Sequence, residues 1–356
     1  MNSKFFLNQL VLRFQQQFKP FHKDVSAVLL THDNHLWVGS DETTSLERLS
    51  FDGSQTFSNH QSIDIGKFIE LPAGKDKEID IEGLAYADYY LWLVGSHSWK
   101  RKQPEENKTD QQNSERLANV ELGKNRFILA RIPLVNGELF QSCPHPKHPD
   151  KQLRAAQLQL TEKGNLLMDA LESDEHLKPF IVAGIPSKDN GFDIEGLAIS
   201  DNRIFIGLRG PVLRGWAIVL EVEVKATSPK SLKLKEIGDK GKLYKKHFVK
   251  LDGLGIRELC FDGQDLLILA GPTMDIDGPV KVFRLENGFN SDNLFSWEPQ
   301  PILDLPYGEG NDHAEGITLF NAIAQQPSIL VVYDSPSPKR ILDEAAAVMA
   351  DVFPLG

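Results

Sequence analysis

Cysteine is almost missing from this 356-residue chain: Cys143 and Cys260 are the only two. Two are too few for a disulfide framework, so a reduced, intracellular setting is expected. Basic residues are outnumbered as well. Lys and Arg total 39 against 50 Asp and Glu, a formal net charge of −11, which argues against nucleic acid or an anionic membrane as a bulk partner. No run approaches the ~18 apolar residues that would suggest a membrane span. The early Lys4-Phe5-Phe6-Leu7 is broken by Asn8, Gln9 and Arg13 before any cleavage-site pattern, and a cytoplasmic location is the expectation. No Gly-rich loop leads into a helix to cradle phosphate.

What the chain does contain is a repeat, the first thing to seek in a sequence this long. Asp80-Ile81-Glu82-Gly83-Leu84-Ala85 recurs as Asp193-Ile194-Glu195-Gly196-Leu197-Ala198. Looser copies are Ile256-Arg257-Glu258-Leu259-Cys260-Phe261 and His313-Ala314-Glu315-Gly316-Ile317-Thr318, and Asp24-Val25-Ser26-Ala27-Val28-Leu29 is a fainter first one. Most copies run through a polar turn (Asp33-Asn34, Asp201-Asn202, Asp262-Gly263) into a second apolar stretch such as Leu91-Trp92-Leu93-Val94. This is hairpin chemistry. A third strand follows in most copies, and a fourth precedes the next copy. Four antiparallel strands per repeat, set radially, predict an all-β fold, a β-propeller.

The markers at 26, 82, 195, 258 and 315 give steps near 60 residues, except for one of twice that length. Five blades are expected, with room for a sixth in the long step. We read that step as one blade carrying insertions at 97–125 and 135–180, within a single domain over 1–356. The polar tract 101–120 reads as a loop and 163–176 as a short helix. Leu10-Val11-Leu12-Arg13-Phe14 resembles an outer strand without a blade. Ala347-Val348-Met349-Ala350-Asp351-Val352 resembles a third strand without a fourth. Pairing these two terminal segments would close the ring and cover an edge.

In a propeller the first strand of each blade lines the channel, so Ser26, Glu82, Glu195, Glu258 and Glu315 are expected to form a ring at one mouth. Asp24, Asp80, Asp193 and His313 lie two residues earlier on the same face. At an effective dielectric of ~20, two carboxylates ~6 Å apart repel by roughly 3 kcal/mol. The ring must therefore hold protons, basic partners or a cation. An oxygen-only set suits Ca²⁺; alternatively each glutamate pins its blade to the next through backbone N–H groups. Loops opening on the same mouth carry Lys100, Arg209, Arg214 and Thr273 as candidate ligand contacts, with His97 and Asp334 as candidate acid or base. A basic rim over such a centre fits a phosphate or carboxylate ligand, or the cations simply neutralise the ring. The leading expectation is a metal-centred hydrolase of small anionic esters, phosphoesters first. Its rival is a non-catalytic platform for a protein, peptide or small ligand.

The DIEGLA copies, LVGSHSWKRK at 93–102 and GLRGPVLRGWA at 207–217 resemble an uncharacterised bacterial family of β-propellers, classed as a domain of unknown function, over roughly residues 20–355. That resemblance implies a fold and no activity. At the level of the repeat alone the chain is similar to esterase-like, phytase-related propellers and to the five-bladed calcium-activated nucleotidases. The latter bind Ca²⁺ through serine and glutamate residues of first strands, which implies that role for Ser26, Glu82, Glu195 and Glu315.

Overall fold

The computed structural model describes residues 8–16, 24–290, 293–321, 326–342 and 346–355. It is a β-propeller. Among the described residues, five runs of four hydrogen-bonded strands can be traced within the larger sheets, and short two-stranded ribbons lie outside them. The innermost strands are Val25–Leu30, Ile81–Ala87, Asp193–Ser200, Gly255–Asp262 and His313–Leu319. Each packs against the next, and the fifth returns to the first. Each inner strand pairs antiparallel with a second strand, as Leu84 opposite Leu93 and Leu197 opposite Ile206 show. The second strands are apolar at nearly every position because both faces are covered, and Tyr90–Gly95 is buried throughout. Tight turns join the two strands. Ala87 pairs with Tyr90 across Asp88 and Tyr89, which both take positive φ (47° and 62°), the backbone that matches strand twist in a two-residue hairpin.

Five apolar clusters fill the five seams between neighbouring blades. Leu10 and Leu12 of the strand Asn8–Arg13 belong to one of them. That strand pairs antiparallel with Ala347–Pro354, with Leu10 opposite Ala350 and Leu12 opposite Val348. The terminal segments thus complete one blade together, and Val11 and Leu12 also touch the outer strand of the first blade, Thr56–Asp64, in parallel.

The second blade carries the long step. Its third strand is Leu129–Val135 and its outer one Ala156–Leu158. The tract expected to be a loop contains a helix, Asp110–Ala118, started by a capping box of Thr109 and Gln112. No side chain of this helix is buried, so no apolar stripe marked it in the sequence. The expected helix within 163–176 is Leu166–Leu171, capped by Asn165, and a second short one covers Lys178–Val182. Between the third and outer strands of the third blade, Trp216–Val222 and Lys245–Lys250, the Lys-rich residues 224–234 fold as a hairpin whose strand Ser231–Leu234 joins the second blade's outer edge. No helix among the described residues is long and apolar enough to cross a membrane.

Candidate functional site

Every inner strand carries one extra residue relative to its partner strand, a β-bulge, near its start. The bulged residues are Ser26, Glu82, Glu195, Arg257 and Glu315. Bulges re-aim side chains and recur next to functional sites. Here they set the ring, and its fourth member is Arg257. Glu258 lies one residue further on, at the level of Ala27, Gly83, Gly196 and Gly316. Matching glutamate to glutamate had slid the fourth repeat by one position. The packed apolar residues give the true register, since Ile256 aligns with Ile81 and Ile194, and Leu259 with Leu84 and Leu197.

Glu258 is 1% exposed and accepts the N–H of Leu197 in the third blade (3.2 Å) and of Leu259 (2.8 Å). Burial raises its pKa well above the usual range. It pins two blades together. Ser26 does the same in another way, donating its hydroxyl to the carbonyl of Ile81 at 2.5 Å.

Arg257 instead joins two carboxylates: its Nη1 lies 2.6 Å from Glu315 and 3.2 Å from Glu195. Arg209, on the second strand of the third blade, places Nη1 at 2.6 Å from Glu195 and Nη2 at 2.6 Å from Asp193. Arg126 bridges Asp80 (3.0 Å) and Glu78 (2.5 Å). Three guanidinium groups are thus threaded among the carboxylates. Even so, burial raises the pKa of Glu195 and Glu315 despite their arginine partners, and lifts Asp193 to about 7.

Asp41, Glu82 and Asp334, three carboxyl groups of this mouth, have no ion pair within 4 Å among the described residues. Burial, reinforced by Asp80, Asp334, Glu315 and Asp24, raises Asp41 to about 8, and its Oδ1 has no hydrogen-bond partner. Burial, with Asp80, Glu195, Glu315 and Asp193 around it, raises Glu82 well above the carboxylate range. With a value of about 8, Asp41 holds its proton near neutral pH.

The calcium cage expected from the ring is not formed by these residues. Ser26 has turned its hydroxyl to a carbonyl, Glu258 stands outside the ring, and Arg257 with Arg209 occupies the oxygens of Glu195. Among the described residues no group of three or more His, Cys, Asp or Glu side chains is spaced to hold a metal ion. Cationic side chains stand where the cation was expected.

The remaining candidates divide. Arg209, Arg257, Lys188, His313, Glu315 and Asp334 line one small cavity of about 40 Å³, and the pKa of Asp334 is raised by burial. His97 does not reach it. Its ring is 1% exposed, with Nδ1 2.7 Å from the carbonyl of Gly95 and Nε2 2.8 Å from Nδ2 of Asn165, the helix cap. Burial lowers its pKa to about 4, so it serves as a neutral packing group, not as acid or base. Lys100 is exposed and pairs with Glu78 at 3.4 Å. Arg214 is exposed on the Leu213–Trp216 turn, and Thr273 is half-buried with its methyl beside Gly255; neither lines the cavity. Sequence reasoning passed over Arg257, Asp41, Arg126 and Lys188. The Ile-x-x-Leu spacing would have found the first; Asp41 lies in a loop after a second strand that the repeat does align, while Arg126 and Lys188 come from segments that no repeat aligns.

A family model described as "Protein of unknown function (DUF3616)" matches residues 24–351. No curated protein matches in sequence. Among solved structures, a catalytically inactive virginiamycin B lyase from Staphylococcus aureus with quinupristin is 10% identical, with a TM-score of 0.38 over 98% of this chain and 99% of that one. A PQQ-bound aldose sugar dehydrogenase from Streptomyces coelicolor is 12% identical, with a TM-score of 0.35 over 97% and 98%. YCF48 bound to D1 peptide is 9% identical, with a TM-score of 0.33 over 92% and 67%. Likenesses at this level carry no functional information.

Proposed function

The chain belongs to the DUF3616 family, a membership that assigns no reaction, and from the geometry of the acidic mouth we propose a hydrolase of small anionic esters. The observation that carries the proposal is the pairing, in one mouth, of carboxyl groups without a cation (Asp41 and Glu82) with a cavity walled by Arg209, Arg257 and Lys188. The basic wall orients an anionic group on the substrate. Asp334 takes a proton from the attacking water, and the protonated carboxyl of Asp41 gives one to the departing alkoxide. Proton exchange with solvent then returns Asp334 to its ionised and Asp41 to its protonated state for the next turnover. A raised pKa of this kind keeps an acid loaded at neutral pH.

The test is kcat/KM on a panel of aryl phosphates and carboxylate-bearing aryl esters. Asp41→Asn is expected to lower it by about 100-fold or more, the usual scale of a general acid, with the fold intact by circular dichroism. Unchanged turnover in both Asp41→Asn and Glu82→Gln would sink the proposal.

A binding role without turnover has its own support. Met274, Ile276 and Tyr307 line the same cavity and are 45%, 59% and 47% exposed, an apolar rim suited to docking. Saturable ligand binding with no product from any ester would favour that reading.

A further inference from the structure

The opposite end of the channel differs in chemistry from the acidic mouth. There the last residues of all five inner strands wall a cavity of about 520 Å³, within the range of ~300–1,000 Å³ usual for small-molecule sites. Leu29, Tyr86, Ile199, Phe261 and Leu319 are among its walls with Cys260, and His32, Asn34 and Asn321 stand at it; among the described residues no Asp, Glu, Lys or Arg lines it. Its hydroxyl groups are largely committed elsewhere. Thr31 donates to Asp33 and to the carbonyl of His35, and Thr318 accepts the N–H of Leu30. A layer of buried residues (Ala27, Gly83, Gly196, Glu258 and Gly316) lies between this cavity and the arginine–carboxylate ring.

We infer that this second mouth is a binding site for an uncharged, apolar small molecule. Apart from the exposed imidazole of His32, the described walls offer a charged ligand no counter-ion, and burying a charge there unpaired would be costly. Apolar surface, by contrast, is withdrawn from water on five sides at roughly 25 cal/mol per Å². A strand from a protein partner finds no free edge, because the cavity is met by strand ends and each inner strand is already flanked by its own second strand and by neighbouring blades. Burial also raises the Cys260 thiol to about 12, in keeping with a wall of low polarity. The thiol is half-buried and reports on whatever fills the space.

The inference is tested with N-phenyl-1-naphthylamine, a neutral fluorescent probe, and with 1-decanol. The full chain is expected to bind the probe saturably at one site, and Ile199→Asp to weaken it about tenfold or more by placing a charge in the wall. Glu82→Gln, in the other mouth, is expected to leave probe binding unchanged. In a Cys143→Ser background, which needs no change to the cavity, decanol is expected to slow modification of Cys260 by N-ethylmaleimide about fivefold or more, as occupancy shields the thiol. Non-saturating fluorescence, equal loss in Glu82→Gln, or a Cys260 rate indifferent to decanol would each overturn the inference.

Discussion

At position 257 an arginine takes the place that glutamate holds in three other repeats, and its guanidinium ties Glu195 to Glu315. Removing one member of a buried ion-paired set leaves charge uncompensated, typically at ~3–5 kcal/mol. Arg257→Met is therefore expected to lower the unfolding free energy from urea denaturation by an amount of that order at pH 7. Asp41 makes a prediction of opposite sign. Its folded pKa, about 8, exceeds the ordinary 3.8, so the folded state binds a proton that the unfolded state has already released across that window. Stability contributed by the neutral carboxyl is complete below the lower value and erodes as pH rises to the upper one. Asp41→Asn should then stabilise the protein by up to about 5 kcal/mol at pH 8, with little effect below pH 4, measured by chemical denaturation at both. Asp41 could not be read as special from the chain alone, because its unusual proton affinity comes from Asp80, Asp334 and Glu315, which only the ring brings near it.

Among the elements, the strand Asn8–Arg13 was legible before any coordinates, because an alternating apolar run without a hairpin partner at one end matched a strand without a neighbour at the other. Its packing gives that match physical weight. Leu12 is 1% exposed and joins Val28, Leu49 and Phe57 in one seam. Leu12→Ala is expected to cost ~2–5 kcal/mol and to expose the edge of Ala347–Pro354, with a lowered Tm and concentration-dependent light scattering as the readouts. The helix Asp110–Ala118 was not legible for the complementary reason. Its stability rests on a cap and on good helix formers, with nothing buried, and polarity without a stripe reads as loop. The register of Gly255–Asp262 failed differently: two neighbouring residues, Arg257 and Glu258, competed for one structural position, and charge type was a poorer guide than the spacing of packed Ile and Leu.

At the scale of the whole molecule, repetition and divergence serve different ends. Equivalent apolar positions are reused around the ring to fill five seams, so the architecture could be inferred from hexapeptides alone. The polar residues are not reused faithfully. One ring position is serine, one is arginine, and the loops bring different side chains to the rim, which is why the chemistry of the mouth had to be seen to be described.

The buried layer holding Glu258, with Ala27, Gly83, Gly196 and Gly316 also shut away from solvent, divides an acidic well from an apolar one. Met274, Asp275 and Ile276 stand at the acidic well, and Gln103 of the helix-bearing insertion is hydrogen-bonded to Asp275. The insertion of the second blade therefore reaches across to a loop of the fourth at that well.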